Sequence, residues 1–153
     1  MTRRRSLLLL PAILVLSQCG PEPKPPAVLT LTISGSADQN PDIKGAPSPI
    51  AVRVFQLTGT AKFERGDVFA LTEREAATLG TDSAGSQEFL IAPNEKRTVT
   101  MELKPQVQAV GVVGLYRDID RAQWRADAPV ATSGPSKLML DIAKLAITLK
   151  PAS

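Results

Sequence analysis

The stretch IAVRVFQL, residues 50–57, decides the fold class of this chain, because β-branched, apolar and aromatic residues fill both alternating faces of an extended segment. A strand that is mainly apolar on both faces is typical of an internal position, with other elements packed above and below the sheet. Arg53 is the one charged residue of the stretch. We expect it to have an acidic partner, since a buried charge without one costs several kcal/mol.

Six further segments have strand character, and two of them also indicate a position in the fold. Residues 108–116, QAVGVVGLY, are nearly all apolar, which predicts a central strand, and Gly111 and Gly114 predict close approach of a neighbouring element. The last segment, residues 145–149, is amphipathic and flanked by lysines, which is typical of an edge strand. Seven short strands at this spacing predict an all-β fold, a two-sheet β-sandwich. The six segments are residues 28–33, 87–91, 97–103, 108–116, 137–142 and 145–149.

Residues 63–80, FERGDVFALTEREAATLG, change from the strand period to a helical one. Asp67 is a typical N-cap residue, and Thr72 followed three residues later by Glu75 has the capping-box pattern. Gly80 is typical of a helix end. The pattern therefore predicts one or two short helices inserted between strands.

The amino-terminal residues have the pattern of a bacterial leader. Three arginines at positions 3–5 precede the apolar residues 7–16, and ten residues are too few to cross a bilayer, which needs about 20. The segment Leu16-Ser17-Gln18-Cys19 resembles the lipobox of bacterial lipoproteins. The resemblance implies cleavage before Cys19, which then carries a covalent diacylglycerol and an N-acyl chain. The alternative is an ordinary signal peptide in which the cysteine occurs by chance.

The predicted organisation has three parts. Residues 1–18 form a lipoprotein signal peptide, residues 19–27 the lipidated cysteine with a proline-rich tether, and residues 28–153 the β-sandwich domain. Four prolines in residues 20–26 favour a polyproline II spacer that holds the domain clear of the lipid headgroups. Gly20 after the cysteine resembles the sorting signal for the outer membrane.

Composition excludes several classes of function. Removing residues 1–18 removes three arginines and no acid, which leaves 15 basic and 15 acidic residues and no charge that would favour nucleic acid as a partner. The chain contains no histidine, and its one cysteine is Cys19, so histidine-dependent catalysis and a thiol nucleophile in the domain are excluded. The carboxylate pairs Glu73/Glu75 and Asp118/Asp120 belong to a predicted helix start and a predicted turn. We therefore predict a protein that is not an enzyme and has no metal or other cofactor.

The order of several short motifs resembles the outer-membrane lipoproteins of type VI secretion systems, the TssJ (VasD) family. The resemblance covers essentially the whole chain after the leader, together with the anchoring cysteine. The motifs are Asn40-Pro41-Asp42, Pro47-Ser48-Pro49, VRVFQL at 52–57, Phe63, Asp67, Phe69 and Leu71, Leu79-Gly80, Pro93-Asn94-Glu95, GVVGLYRD at 111–118, and Trp124-Arg125.

This resemblance implies a transthyretin-like β-sandwich with a short helical insertion, anchored by lipid to the periplasmic face of the outer membrane. It also implies a partner, the periplasmic C-terminal region of the inner-membrane protein TssM, which together with TssL completes an envelope-spanning complex. Two alternatives remain open from the sequence. One is a different envelope-assembly lipoprotein, such as a pilotin-like or complex-stabilising factor, and the other is a carboxylate-based hydrolase.

The loop of residues 34–49 is the first candidate for the partner-binding site, because sixteen residues without regular structure are longer than most connections. Ile43 is an apolar residue among polar ones, and the alternative is that it packs on its own domain within a plain connection. A second candidate surface consists of Arg117, Asp118, Trp124 and Arg125. The predicted partner-binding residues of the loop are Gln39, Asn40, Pro41, Asp42, Ile43 and Lys44.

Overall fold

The computed structural model describes residues 19–153, and the predicted leader, residues 1–18, lies outside the described residues. Two four-stranded sheets form a β-sandwich, with strand orders β4-β1-β7-β8 and β3-β2-β5-β6. The strands are β1 (Val28–Gly35), β2 (Ile50–Leu57), β3 (Ser83–Ile91), β4 (Lys96–Glu102), β5 (Ala109–Gly114), β6 (Arg125–Pro129), β7 (Pro135–Ile142) and β8 (Ile147–Pro151). The helices are α1 (Ala61–Arg65), α2 (Val68–Glu73) and α3 (Glu75–Leu79), followed by a 3₁₀ turn at Gly80–Asp82.

The core has two parts, one on each face of β2. Val52 and Val54 pack between the sheets with the inward residues of β1, β5 and β7. Phe55 and Leu57 point to the other face, where the helical insertion covers them with Phe63 and other apolar residues. Each such side chain contributes about 1.5–3 kcal/mol when fully buried. The prediction of an internal strand at 50–57 is confirmed.

Arg53 lies on the helix-covered face of β2 and has the acidic partners that the sequence requires. Its Nη2 is 3.0 Å from a carboxylate oxygen of Glu88, and its Nη1 donates to the backbone oxygen of Thr72 at 2.6 Å. Glu75 lies 3.9 Å from the same guanidinium. The arginine therefore joins α2 and α3 to the sheet.

The helical insertion agrees with the sequence at its caps but not at the capping box. Asp67 caps α2, since its carboxylate accepts a hydrogen bond from the backbone nitrogen of Ala70 at 2.8 Å, and Gly80 ends α3 with a φ of 54°. The predicted capping box is wrong, because Thr72 is still inside α2 and donates its hydroxyl to the backbone oxygen of Val68. The carboxylate of Glu75 instead accepts hydrogen bonds from Ser83 and Ser86.

The strand boundaries differ from prediction by up to four residues, and one strand was not predicted. Strand β6, of sequence RADAP, was not predicted, because its only apolar side chains facing the core are two alanines. Strand β3 begins at Ser83, four residues before the predicted segment, and β8 begins at Ile147, two residues after it. The last strand is at a sheet edge, as predicted.

The strand directions give the sandwich two distinct ends. Strand β1 starts beside the tether, where Val28 donates to Gly134 and Ala27 accepts from Leu103, and we call this the anchor end. Its other end meets the loop that leads to β2, and β7 runs parallel to β1. The opposite end, which we call the loop end, therefore carries four connections: residues 36–49, 92–95, 115–124 and 143–146. Within residues 19–153, no helix has the length and apolar character needed to cross a membrane.

Candidate functional site

The candidate site lies at the loop end and is built on the connection between β1 and β2, residues 36–49, which we call the β1–β2 loop. Gln39, one residue of this loop, is fully buried. The side-chain nitrogen of Gln39 donates to the backbone oxygen of Ile91 at 2.8 Å and to that of Ser48 at 3.3 Å. The glutamine thus fastens both arms of the loop to the end of β3.

Asn40 joins the β1–β2 loop to two other connections. Its side-chain nitrogen donates to the backbone oxygen of Pro49 at 2.8 Å, and its side-chain oxygen accepts from the backbone nitrogen of Arg117 at 2.8 Å. Its own backbone nitrogen donates to the oxygen of Lys144 at 3.0 Å. Asn40 has a φ of 44°, a left-handed conformation that asparagine tolerates better than most residues. One buried residue, through its side chain and its backbone, therefore holds three loops in register.

The tip of the β1–β2 loop is ordered around Asp42. One oxygen of its carboxylate accepts from the backbone nitrogens of Lys44, at 2.8 Å, and Ala46, at 3.0 Å. The backbone of Asp42 makes two further hydrogen bonds across the tip, to Gly45 and Ala46. Ile43 projects from this fixed turn with a relative exposure of 103%. It does not pack on its own domain, so the tip presents a whole apolar side chain to solvent.

A groove of about 700 Å³ lies between the tip and the neighbouring connections. Three of the six predicted partner-binding residues line it, namely Pro41, Asp42 and Ile43. Lys44 is exposed outside the groove, whereas Gln39 and Asn40 are buried and support the loop from below. The remaining lining residues are Gly45, Arg117, Asp118, Arg121, Lys144 and Leu145.

The four residues of the second candidate surface do not lie together in the structure. Arg117 and Asp118 line the groove, but Trp124 is half-buried between the two parts of the core. Arg125 stacks on the Trp124 ring at 4.8 Å and donates to backbone oxygens of Phe63 and Gly66, so it supports the helical insertion. Sequence reasoning did not find Arg121, Lys144 and Leu145, whose only signal is their position in turns that the topology brings to the loop end.

Ionic and polar contacts fix the rest of the loop end. Arg121 donates to Asp118 at 2.6 Å, and this carboxylate raises the pKa of the arginine. A hydrogen bond from the backbone of Ala92 lowers the pKa of Glu95, with a smaller contribution from Arg97. Within residues 19–153, no group of three or more acidic, cysteine or histidine side chains could hold a metal ion. The groove and the exposed Ile43 beside it offer apolar and charged side chains that another protein could contact.

The tether at the anchor end is partly docked on the domain. Residues 19–26 are exposed, and Cys19 is a free thiol in this structure. The backbone oxygens of Pro25 and Pro26 accept from the backbone nitrogen of Gly134, and Ala27 is buried. Only residues 19–24 are therefore available as a free spacer.

Comparison with known families decides what this sandwich is. The model of the type VI secretion lipoprotein family (VasD, EvfM, TssJ) matches residues 27–145, nearly all of the described domain. The chain belongs to the TssJ family. No curated protein matches the chain.

Three solved structures show the TssJ fold in relatives. The type VI lipoprotein TssJ1 of Pseudomonas aeruginosa is 32% identical, with a TM-score of 0.80 over 84% of this chain and 98% of that chain. Lip of Serratia marcescens, a membrane-bound component of the type VI secretion system, is 21% identical, with a TM-score of 0.73 over 84% of this chain and 97% of that chain. A chain from a structure described as the TssM C-terminal domain from EAEC is 22% identical, with a TM-score of 0.69 over 82% of this chain and 98% of that chain.

Membership of the TssJ family confirms the resemblance and selects among the alternatives. The chain is a lipoprotein component of the type VI secretion membrane complex, and not an enzyme or a pilotin-like factor of another assembly. The predicted β-sandwich with short helices is also confirmed.

Proposed function

We propose that this TssJ-family chain is anchored through acyl groups on Cys19 to the periplasmic face of the outer membrane, and that it binds the periplasmic C-terminal region of TssM with its loop end. Through TssM it is connected indirectly to TssL. The main support for this binding site is the exposure of Ile43 on a fixed, hydrogen-bonded tip. An apolar side chain held in solvent by an ordered backbone contributes to binding without a further entropic cost of ordering the loop.

The separation of the two ends supports the same proposal. Cys19 is attached at the anchor end, and the tip of the β1–β2 loop lies at the loop end, beyond the eight residues of β1. Eight residues of strand span about 26 Å. Six residues of extended tether add up to roughly 19 Å. With Cys19 anchored as proposed, these lengths would let the loop end reach well into the periplasm, toward an inner-membrane partner.

A structural neighbour supports TssM as the partner, since one chain of this fold comes from a structure described as the TssM C-terminal domain. The residue after the cysteine supports the outer membrane as the anchoring membrane. It is Gly20 and not an aspartate, which resembles the outer-membrane sorting signal.

The direct test is the substitution Ile43→Asp in the lipidated protein, purified in detergent, with affinity measured for the periplasmic C-terminal region of TssM from the same bacterium. We expect at least a tenfold weaker affinity, equivalent to about 1.4 kcal/mol. Thermal stability should not change, because the side chain is fully in solvent.

The matched control is Phe69→Asp, which removes another exposed apolar side chain, with 60% exposure, from the helical insertion away from the loop end. This variant should bind like the wild type. If Ile43→Asp folds normally and binds TssM as tightly as the wild type does, the β1–β2 loop is not the binding site.

A further inference from the structure

Basic side chains outnumber acidic ones in the lining of the groove, and not all of the basic ones are paired. Asp42 is engaged by the backbone nitrogens of its own tip, and Asp118 is paired with Arg121. Arg117 and Lys144 make no ion pair with any acidic residue among residues 19–153. The groove lining therefore carries three basic and two acidic side chains, a net charge of +1, and Arg117 and Lys144 are the two cations left available to an acidic partner.

The side chain of Arg117 and the backbone of Lys144 are held in place by the same buried residues that organise the loops. Arg117 donates from Nε to the hydroxyl of Ser48 at 3.0 Å, and its backbone nitrogen is bound by Asn40. The terminal guanidinium nitrogens of Arg117 have no hydrogen-bond partner in the described part of the chain. Lys144 is fixed through its backbone oxygen, which accepts from Asn40. Because the Arg117 side chain is positioned before binding, little of its conformational freedom is lost when a ligand binds.

From this geometry we infer that the groove binds a carboxylate of TssM, an Asp or Glu side chain, between Arg117 and Lys144. The apolar lining residues Pro41, Ile43 and Leu145 contact an apolar side chain next to that carboxylate in the partner. Arginine favours this ligand, since its planar donors match the two oxygens of a carboxylate. The inference rests on the proposed function and specifies the chemistry of its binding site.

The position of the groove favours a protein carboxylate over an anionic lipid headgroup. The groove is at the loop end, whereas the tether leaves the domain at the anchor end, some eight strand residues away. A domain held by Cys19 would have to invert on its short tether to bring the groove to the membrane that anchors it. A carboxylate of TssM, which approaches from the periplasm, would face no such obstacle.

The test is a charge reversal, Lys144→Glu, in the lipidated full protein, with association and dissociation rates measured for the TssM periplasmic region at about 0.1 M and about 1 M salt. The Debye length falls from about 10 Å to about 3 Å over this range. We expect association to be about tenfold slower for the variant at low salt, with most of the difference lost at high salt. The matched control is Lys137→Glu, an exposed lysine near the anchor end without an ion pair within residues 19–153.

A rescue experiment identifies the ligand. One Asp→Lys or Glu→Lys substitution in the TssM region should restore binding to Lys144→Glu while weakening binding to the wild-type chain. Arg117→Gln should weaken binding more than Arg117→Lys does, because lysine keeps the charge.

The outcomes separate the inference from the proposal on which it rests. If Ile43→Asp weakens binding but Lys144→Glu and Arg117→Gln bind like the wild type at low salt, the loop end binds TssM without a carboxylate site, and the inference is wrong. If the wild-type chain does not bind the TssM region at all, both are wrong. Rescue by an acid-to-lysine substitution in TssM supports both.

Discussion

Gly111 in the central strand β5 lies where the helical insertion leaves no room for a side chain. A Cβ atom there would lie 2.6 Å from the Cζ of Phe63 and 2.9 Å from a methyl group of Leu57. Phe63 is fully buried and packs against the tilted ring of Phe55 with ring centroids 5.4 Å apart, so it has little room to move. The glycine therefore sets how closely the helical insertion approaches the sheet.

We expect Gly111→Ala to destabilise the fold by about 1–3 kcal/mol, the usual cost of an overpacked core, as measured by chemical denaturation. Gly114→Ala in the same strand is the matched control, because both substitutions restrict the unfolded chain equally. A Cβ at Gly114 would lie 3.2 Å from its nearest neighbours, so this variant should lose much less stability. Equal stability of the two variants would show that Phe63 moves aside at little cost.

The role of a single residue can be predicted from the sequence when it depends on the strand or helix that contains the residue. It cannot be predicted when it depends on backbone groups that are far away along the chain. Arg53 and Asp67 were identified because the strand period and the cap position define them. Gln39 and Asn40 looked like surface residues of a polar loop. Their burial depends on backbone groups of Pro49, Ile91 and Arg117, which no local pattern brings together.

Strand β6 shows the same limit at the scale of an element. Its sequence RADAP has no β-branched or aromatic residue, and the strand exists because β5 offers an unpaired edge that β6 completes by antiparallel pairing. The strongly patterned segments around it were predicted correctly, since their side chains alone determine an extended, half-buried chain. The groove at the loop end depends on the turn after β7 and the turn after β5 being neighbours, which only the sheet topology determines.

Strand β6 also carries an acid that opposes folding at neutral pH. Partial burial raises the pKa of Asp127 above its ordinary value, and the nearby carboxylate of Glu64 raises it further, although Arg125 opposes both. Because the folded pKa is the higher one, the native state binds more protons than the unfolded state between the two values. Stability therefore falls as pH rises through that window, and the penalty persists at higher pH.

The substitution Asp127→Asn should remove this penalty. We expect a gain within about 0.5 kcal/mol at neutral pH, small because the side chain remains exposed to screening solvent, and no gain at a pH below both pKa values. Denaturation of the variant at both pH values measures the difference. Asp120→Asn, an exposed acid at the loop end, controls for the loss of one negative charge, and an equal gain there would mean that β6 has no special role.

At the scale of the whole molecule, the sandwich separates the proposed lipid anchor from the proposed binding site by the length of β1. The tether is fixed to the domain at Pro25, Pro26 and Ala27, so the free spacer is only six residues long. A rigid domain on a short spacer limits how far the loop end can lie from the membrane. The proposed anchor and the proposed binding site consequently share no residues. The anchor affects binding only by fixing how far from the membrane the domain is held.

This independence predicts the behaviour of a Cys19→Ser variant that is exported with an ordinary cleavable leader. Each acyl methylene contributes about 0.8 kcal/mol to membrane binding, and the loss of all chains removes the anchor. The variant should therefore appear in the soluble periplasmic fraction, with unchanged thermal stability and unchanged affinity for the TssM region in solution. Secretion should still fail in cells, because TssM would then hold a domain that is not attached to the outer membrane. A variant that still sediments with membranes in a strain lacking TssM would show that a protein surface, and not Cys19, provides the anchor.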